Sequence, residues 1–254
     1  MLENDQKQES SRARMAREMT REGVGRIGEI WKRLCRFSFT QRRISRTSLA
    51  RLCHEMATNE YTLVVHSTDV DHKRHFPNSF IVSKLEHQPA NLHTDAYFQD
   101  LRLVGDGSFG VILCTGLLEH IPHPQDIVDE FHRILKPGGR LIISASAVFP
   151  FHSAPNNFFH FTTNGFRLLF RDWSRFDLLR GSSGPFKTIA ILLQRINLQC
   201  DVFPPVRPMI ELLYHVVPWL DVFVLRQYDN LVRRDERGPV DSIMPATLHA
   251  VVIK

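Results

Sequence analysis

The sequence places carboxylates and histidines where they could bind a ligand or move a proton. Glu86 and Glu119 each follow a short apolar run, and Asp95 lies between them. An ionised carboxylate only accepts hydrogen bonds, so a carboxylate that follows a strand suits the hydroxyls of a vicinal diol. His152 and His160, in a segment rich in phenylalanine, are the candidate general bases, with a structural role in that segment as the alternative for each.

Short apolar runs predict the elements that would position these side chains. Strands are expected at residues 62–66, 80–82, 111–114 and 140–144, since each run is bounded by polar turns, as in buried parallel strands. A helix is expected over residues 126–135, where apolar residues share one face, and Gly138 and Gly139 turn the chain back. Strand, helix and strand form a βαβ unit, so ligands are expected at the carboxyl ends of a parallel sheet.

The first part of the chain differs in charge from the rest. Residues 1–51 hold thirteen Lys and Arg against six Asp and Glu, whereas the whole chain carries a net charge of +5. Residues 1–22 lack apolar periodicity and are expected to be a flexible tail, and residues 23–58 to be a basic helical segment. This arm could bind an anionic partner, or its charges could form a solvated helical face.

The second half of the chain predicts a lid and a kinked helix. Residues 147–166 are rich in Phe, His and Asn and are expected to cover a site. Residues 209–228 are strongly apolar but contain Pro218, which predicts a kinked helix that packs on the domain or contacts a second copy or another protein; a membrane-surface helix is the less favoured alternative. A last strand is expected over residues 248–254, so the domain is predicted to span residues 59–254.

Composition and cysteine spacing exclude other classes. No stretch approaches the roughly 20 apolar residues of a membrane span, and the polar first residues lack the apolar core of a secretory signal, so a cytoplasmic location is expected. The four cysteines are widely spaced, which predicts neither a disulfide framework nor a metal site.

One continuous stretch carries a family resemblance. Residues 109–124, FGVILCTGLLEHIPHP, followed by a helix and LKPGGRLIISAS, resemble the class I S-adenosylmethionine-dependent methyltransferases, in particular the type 11 group. The resemblance implies an α/β fold, a Rossmann-like doubly wound and mostly parallel sheet, here with an N-terminal helical extension. It also implies S-adenosylmethionine as cofactor and transfer of its methyl group to an oxygen or nitrogen of a small-molecule acceptor.

The resemblance also implies roles for individual residues. Glu86 matches the residue that binds the ribose hydroxyls, and Asp95 with Ala96 matches a segment near the adenine. The resemblance places the following residues around the cofactor as well: His66, Ser67, Asp69, Thr115, Leu118 and Glu119. His152 and His160 would then take a proton from the methyl acceptor.

The sequence departs from the family pattern in the first loop. Family members have a Gly-rich loop after the first strand, whereas this chain reads LVVHSTDVD and has no glycine between Gly28 and Gly105. Glycines there let the backbone approach the cofactor without an intervening Cβ atom. The alternative function is therefore a methyltransferase-fold protein that has lost the reaction and serves as a binding or scaffolding subunit.

Overall fold

Short apolar runs form the strands of one mixed sheet in the computed structural model, which describes residues 41–65, 74–82, 101–152, 156–228 and 239–254. The described strands are β1 (Thr62–Val65), β2 (Ser79–Val82), β3 (Phe109–Thr115), β4 (Leu135–Ser146), β5 (Arg175–Gly181) and β6 (Thr247–Ile253). The described α-helices are α1 (Gln41–Glu55), α2 (Pro124–Ile134), α3 (Thr163–Leu169), α4 (Pro185–Gln199) and α5 (Arg207–Val216).

The sheet has the order β2-β1-β3-β4-β6-β5 among the described strands. β1 pairs in parallel with β2 and β3, and β3 pairs in parallel with β4. β6 is antiparallel to both β4 and β5. The carboxyl ends of β1, β3, β4 and β5 therefore lie along one edge of the sheet, where a ligand site is expected in an open α/β fold.

Alternate residues of the strands enter two separate cores. Leu63, Ile112 and Cys114 pack with α2 and with the aromatic side chains around α3. Val64 and Val111 point the other way and pack with α1. Because successive side chains of a strand face opposite sides of the sheet, helices cover both faces. The predicted doubly wound, mostly parallel α/β architecture is confirmed.

The predicted βαβ unit is present between β3 and β4. Ile127, Val128 and Phe131 of α2 are buried against the sheet, and α2 begins at Pro124, where the missing N–H costs no hydrogen bond. Gly138 has φ +74°, and no other atom lies within 4 Å of the position that a Cβ would take there. The turn before the central part of β4 thus depends on the backbone freedom of glycine.

The compact unit around the sheet spans Gln41–Lys254. Its first element, α1, contributes Leu49, Leu52 and Cys53 to the core. α1 lies within the segment 23–58, which the sequence analysis assigned to the basic extension. The expected tail at 1–22 and residues 23–40 of the extension lie outside the described residues.

The region between β4 and β6 contains elements that the sequence did not predict. β5 is half exposed and lacks a clear alternation of apolar residues, and α4 begins at Pro185 after a short turn. Within the segment expected to be a kinked helix, α5 ends at Val216, and a 3₁₀ helix (Val217–Phe223) continues across Pro218. This segment packs on α4 but leaves an apolar face exposed, which includes Leu212, Trp219 and Phe223.

Among the described residues, no helix combines the length and the apolar character that crossing a bilayer requires.

Candidate active site

The carboxyl end of β3 forms one wall of the candidate site. Thr115 is the last residue of the strand and is nearly buried. Gly116 follows with φ +63°, and its N–H donates to the carbonyl of Ser144 at 3.0 Å. The nearest atom to a Cβ built on Gly116 is Glu119 Oε1 at 3.8 Å. The backbone at this strand end is therefore open, as close approach of a ligand requires.

A short 3₁₀ helix, Leu118–His120, follows this strand end. Leu118 is fully buried and belongs to the core under α2. Glu119 is 3% exposed, and its Oε1 atom accepts a hydrogen bond of 2.7 Å from the hydroxyl of Ser146. Its Oε2 atom is buried and has no hydrogen-bond partner among the described residues. The turn thus presents a buried carboxylate that is only half satisfied.

Backbone hydrogen bonds fix the predicted lid to this turn and to β4. The amides of Phe158 and Phe159 donate to the carbonyl of Glu119, at 2.8 and 3.3 Å. The amide of Phe161 donates to the carbonyl of Ser146 at 2.9 Å. Nδ1 of His120 contacts the carbonyl of Asn156 in the lid. His120, which the sequence analysis did not include among the site residues, therefore joins the turn to the lid.

His152 lies at the inner side of the lid among other rings. Its ring centroid lies 5.0 Å from that of His120 and 4.9 Å from that of Phe149. Its Nδ1 lies 3.1 Å from the carbonyl of Pro150. Burial lowers the pKa of His152, and the Pro150 carbonyl opposes this only in part. The neutral imidazole is therefore favoured.

Glu119, His120 and His152 come together around one point. Each offers one atom that could bind a metal ion, and these three atoms lie within 4.8 Å of one another. Two belong to the turn after β3 and the third to the lid, so the cluster exists only because the lid is docked on the turn.

The ring of His160 stacks on that of His152, with centroids 6.3 Å apart, and His160 also lines a cleft of about 820 Å³. The cleft lies at the carboxyl edge over β4, β5 and β6, and Phe161, Arg167, Arg180 and Tyr228 also line it. Arg180 is held by Glu55 at 3.2 Å. This cleft combines an aromatic wall with cations and an exposed histidine.

Cys114, in the middle of this region, is a core residue. It is fully buried, and burial together with the charge of Glu119 raises the pKa of its thiol. A thiol that stays protonated is a poor nucleophile.

The structure thus divides the predicted site residues into groups. Thr115, Leu118 and Glu119 follow one another at the end of β3, with Leu118 in the core. His152 joins Glu119, and His160 lines the cleft. The remaining predicted cofactor residues lie outside the described part of the chain: His66, Ser67, Asp69, Glu86, Asp95 and Ala96.

Sequence reasoning missed the cleft residues Arg167, Arg180 and Tyr228. They come from α3, from β5 and from the segment after α5, so no local motif joins them. His120 could have been found from its position next to Glu119, since adjacent ligand-type residues at a strand end are a signal.

Comparison with known protein families shows what the chain is similar to. Residues 24–143 match the family model described as a methyltransferase domain. The match covers just under half of the chain. The match runs from upstream of α1 to within β4, and it includes the motif at residues 109–124. The resemblance to class I, type 11 methyltransferases and the Rossmann-like fold that it implied are confirmed.

Curated relatives match the chain over short stretches. The ubiquinone biosynthesis O-methyltransferase of Xanthomonas oryzae pv. oryzae (strain PXO99A) is 44% identical over 46 residues, 18% of this chain and 19% of the relative. The protein of the same name from Xylella fastidiosa (strain M23) is 37% identical over 71 residues, 27% of this chain and 29% of the relative. The matches thus span less than a third of either relative.

Solved methyltransferase structures resemble the chain at low sequence identity. An S-adenosylmethionine-dependent methyltransferase from Archaeoglobus fulgidus has a TM-score of 0.49 at 10% identity, over 84% of this chain and 95% of that one. A possible histamine N-methyltransferase from Thermotoga maritima has a TM-score of 0.41 at 14% identity, over 92% of this chain and 97% of that one.

Proposed function

We propose that the protein is an S-adenosylmethionine-dependent methyltransferase that acts on an oxygen or nitrogen atom of a small molecule. The observation that carries this proposal is the match of residues 24–143 to the methyltransferase domain. The O-methyltransferases among the curated relatives favour a hydroxyl oxygen as the acceptor.

The described side of the cofactor crevice is compatible with S-adenosylmethionine. Gly116 leaves the backbone open at the end of β3, and Thr115 lies beside it. Bound there, the cofactor supplies an electrophilic methyl group on its sulfonium. We assign the β3 side of the crevice to Thr115, Leu118 and Glu119, with Leu118 acting from the core behind them.

The remaining cofactor contacts rest on the sequence resemblance. His66, Ser67 and Asp69 would approach the methionine part, Glu86 the ribose, and Asp95 with Ala96 the adenine. In-line methyl transfer needs little beyond positioning and exclusion of water. The protein's contribution is therefore to hold two ligands in line.

The cleft at the carboxyl edge is the proposed acceptor site. His160 lines it and is exposed, so it can reach an acceptor hydroxyl and take its proton. His152 is the second candidate base, but it packs against Phe149 and His120. Because only His160 lines the cleft, we favour His160 for proton transfer.

Two partner surfaces belong to the same proposal. The exposed apolar face of α5 and the following 3₁₀ helix would contact a second copy of the chain. The basic arm, including Arg46 and Arg51 on the exposed side of α1, would bind an anionic partner.

Calorimetry with S-adenosylmethionine and S-adenosylhomocysteine tests the proposed function. We expect roughly one-to-one binding at micromolar affinity to the purified full-length protein. No binding at millimolar ligand, with the fold verified by circular dichroism, would overturn the proposal and leave a binding or scaffolding role.

A further inference from the structure

The cluster at the lid has the composition of a metal site. Glu119 supplies a carboxylate oxygen, and His120 and His152 each supply an imidazole nitrogen, all within 4.8 Å of one another. A tetrahedral zinc ion with bonds of about 2.1 Å keeps its ligand atoms roughly 3.4 Å apart. The three atoms would therefore have to approach by little more than about 1 Å, which side-chain rotation can supply.

The second carboxylate oxygen of Glu119 is a candidate ligand for a cation. Glu119 is 3% exposed, and Oε2 has no hydrogen-bond partner among the described residues, while Oε1 is held by Ser146. A buried charged oxygen without a partner is costly to the fold. A cation beside Oε2 would remove this cost.

The tautomers of both histidines suit metal binding. Nδ1 of His120 contacts the carbonyl of Asn156, and Nδ1 of His152 contacts the carbonyl of Pro150. A carbonyl only accepts hydrogen bonds, so each Nδ1 carries the proton and each Nε2 carries the lone pair. Backbone carbonyls hold metal-binding histidines in this way in known sites.

The chemical types of the three ligand atoms favour zinc over other ions. Magnesium and calcium prefer oxygen ligands, whereas two imidazole nitrogens and one carboxylate match the three protein ligands of many zinc sites. Such sites leave the fourth position to water.

We propose that Glu119, His120 and His152 bind one Zn²⁺ ion that fastens the lid to the turn after β3. Glu119 and His120 belong to the turn and His152 to the lid, so the ion joins two segments that are otherwise held by backbone hydrogen bonds and by the contact of His120 with Asn156. Glu119 also borders the proposed cofactor crevice, but the zinc proposal rests on the geometry of these three side chains and does not depend on the proposed function.

Zinc titration of the metal-free protein tests this proposal without any methyltransferase assay. The full chain, with any affinity tag removed, is stripped with chelator and titrated with ZnCl₂ against a chromogenic competitor. We expect one ion per chain. His152→Gln and Glu119→Gln should each weaken binding at least 10-fold. His123→Ala, which removes an exposed histidine near the same turn, should leave the affinity unchanged.

Hydrogen exchange provides a second readout. Zinc should slow exchange in peptides covering residues 149–161 and leave peptides of α5 unchanged, and His152→Gln should abolish the slowing. Cys200→Ser, which removes the exposed thiol, excludes adventitious binding there. Absence of stoichiometric binding to the folded wild-type protein, or equal binding by His152→Gln, would overturn the proposal.

Discussion

The hydroxyl of Ser146, at the end of β4, donates to Glu119 Oε1 at 2.7 Å in the turn after β3. Both side chains are buried. Two neighbouring strand ends are thereby joined by one side-chain hydrogen bond, and the same two residues accept the backbone hydrogen bonds of the lid. The lid, the turn and the strand end therefore form one connected unit.

Removing this hydroxyl should destabilise the protein. Ser146→Ala deprives a buried carboxylate of its hydrogen bond, which we expect to lower the free energy of unfolding by about 1–3 kcal/mol. Urea denaturation in the presence of chelator measures this. Ser108→Ala, which removes an exposed hydroxyl bonded to Gly105 at 2.7 Å, should change stability by less than about 0.5 kcal/mol. Equal losses of stability in the two variants would show that the buried Ser146–Glu119 hydrogen bond contributes no more than an exposed one.

Substitution of Gly116 should weaken cofactor binding as well as lower the stability of the fold. Gly116→Ala and Gly138→Ala both place a side chain at positive φ, so we expect each to cost about 1–2 kcal/mol of stability. Only Gly116 lies at the end of β3, so only its substitution should weaken S-adenosylmethionine binding, by roughly 10-fold or more. Calorimetry on the two variants checks this. Equal affinities would remove Gly116 from the crevice.

His249 should make the fold sensitive to acid. It is 1% exposed, neither ring nitrogen has a hydrogen-bond partner among the described residues, and burial, with a smaller contribution from Arg180, lowers its pKa to about 4. Unfolded histidine titrates near 6.5, so between these values only the unfolded chain binds the proton. As far as His249 determines it, the free energy of unfolding is therefore highest above about pH 6.5 and decreases as the pH falls towards 4.

The variant His249→Leu isolates this effect. Every other titrating group is common to both proteins, so the variant should gain stability relative to the wild type as the pH falls. The gain should approach about 3 kcal/mol near pH 4 and vanish above pH 7. Urea denaturation of both proteins across this range provides the measurement. A difference that does not change with pH would show that His249 finds a partner when it is protonated.

Proton transfer by His160 should appear in the rate and leave cofactor binding unchanged. With an acceptor identified by screening, His160→Ala should lower kcat/KM by about 100-fold or more and leave S-adenosylmethionine affinity intact. His123→Ala should have wild-type kinetics. Loss of affinity without loss of rate would assign His160 to ligand positioning.

The exposed face of α5 and its 3₁₀ extension should govern self-association. Leu212 and Phe223 are 64% and 78% exposed, so Leu212→Gln with Phe223→Ser should shift a dimer towards the monomer. Light scattering after gel filtration measures the mass. Leu103→Gln, at an 85% exposed leucine elsewhere, should leave the mass unchanged. A monomeric wild-type protein would contradict the contact.

The fold was predictable where local patterns are strong. Strands β1 and β3, helix α2 and the turn at Gly138 follow from apolar periodicity and glycine placement over short distances. β5 was missed because it is half exposed, and its pairing with β6 comes from residues far away along the chain. Pairing over such distances leaves no periodic signal in either segment.

The candidate site was predictable only in part. Glu119 and His152 were named from their positions, but their proximity depends on how the lid docks, which the amides of Phe158 and Phe161 determine. The cleft residues Arg167, Arg180 and Tyr228 come from three separate segments, so the arginines of the cleft could not be identified before the topology was known.

The position of β6 determines when the sheet can be completed during synthesis of the chain. The two ends of the β5–β6 connection, Ser182 and Thr247, are 65 positions apart and meet through a hydrogen bond. β5 pairs with no described strand other than β6, which inserts between it and β4. While those 65 residues are being translated, β4 presents an unpaired edge and β5 has no sheet to join. A nascent chain in this interval therefore exposes unpaired strands, and this is the stage at which we expect chaperone binding to matter most.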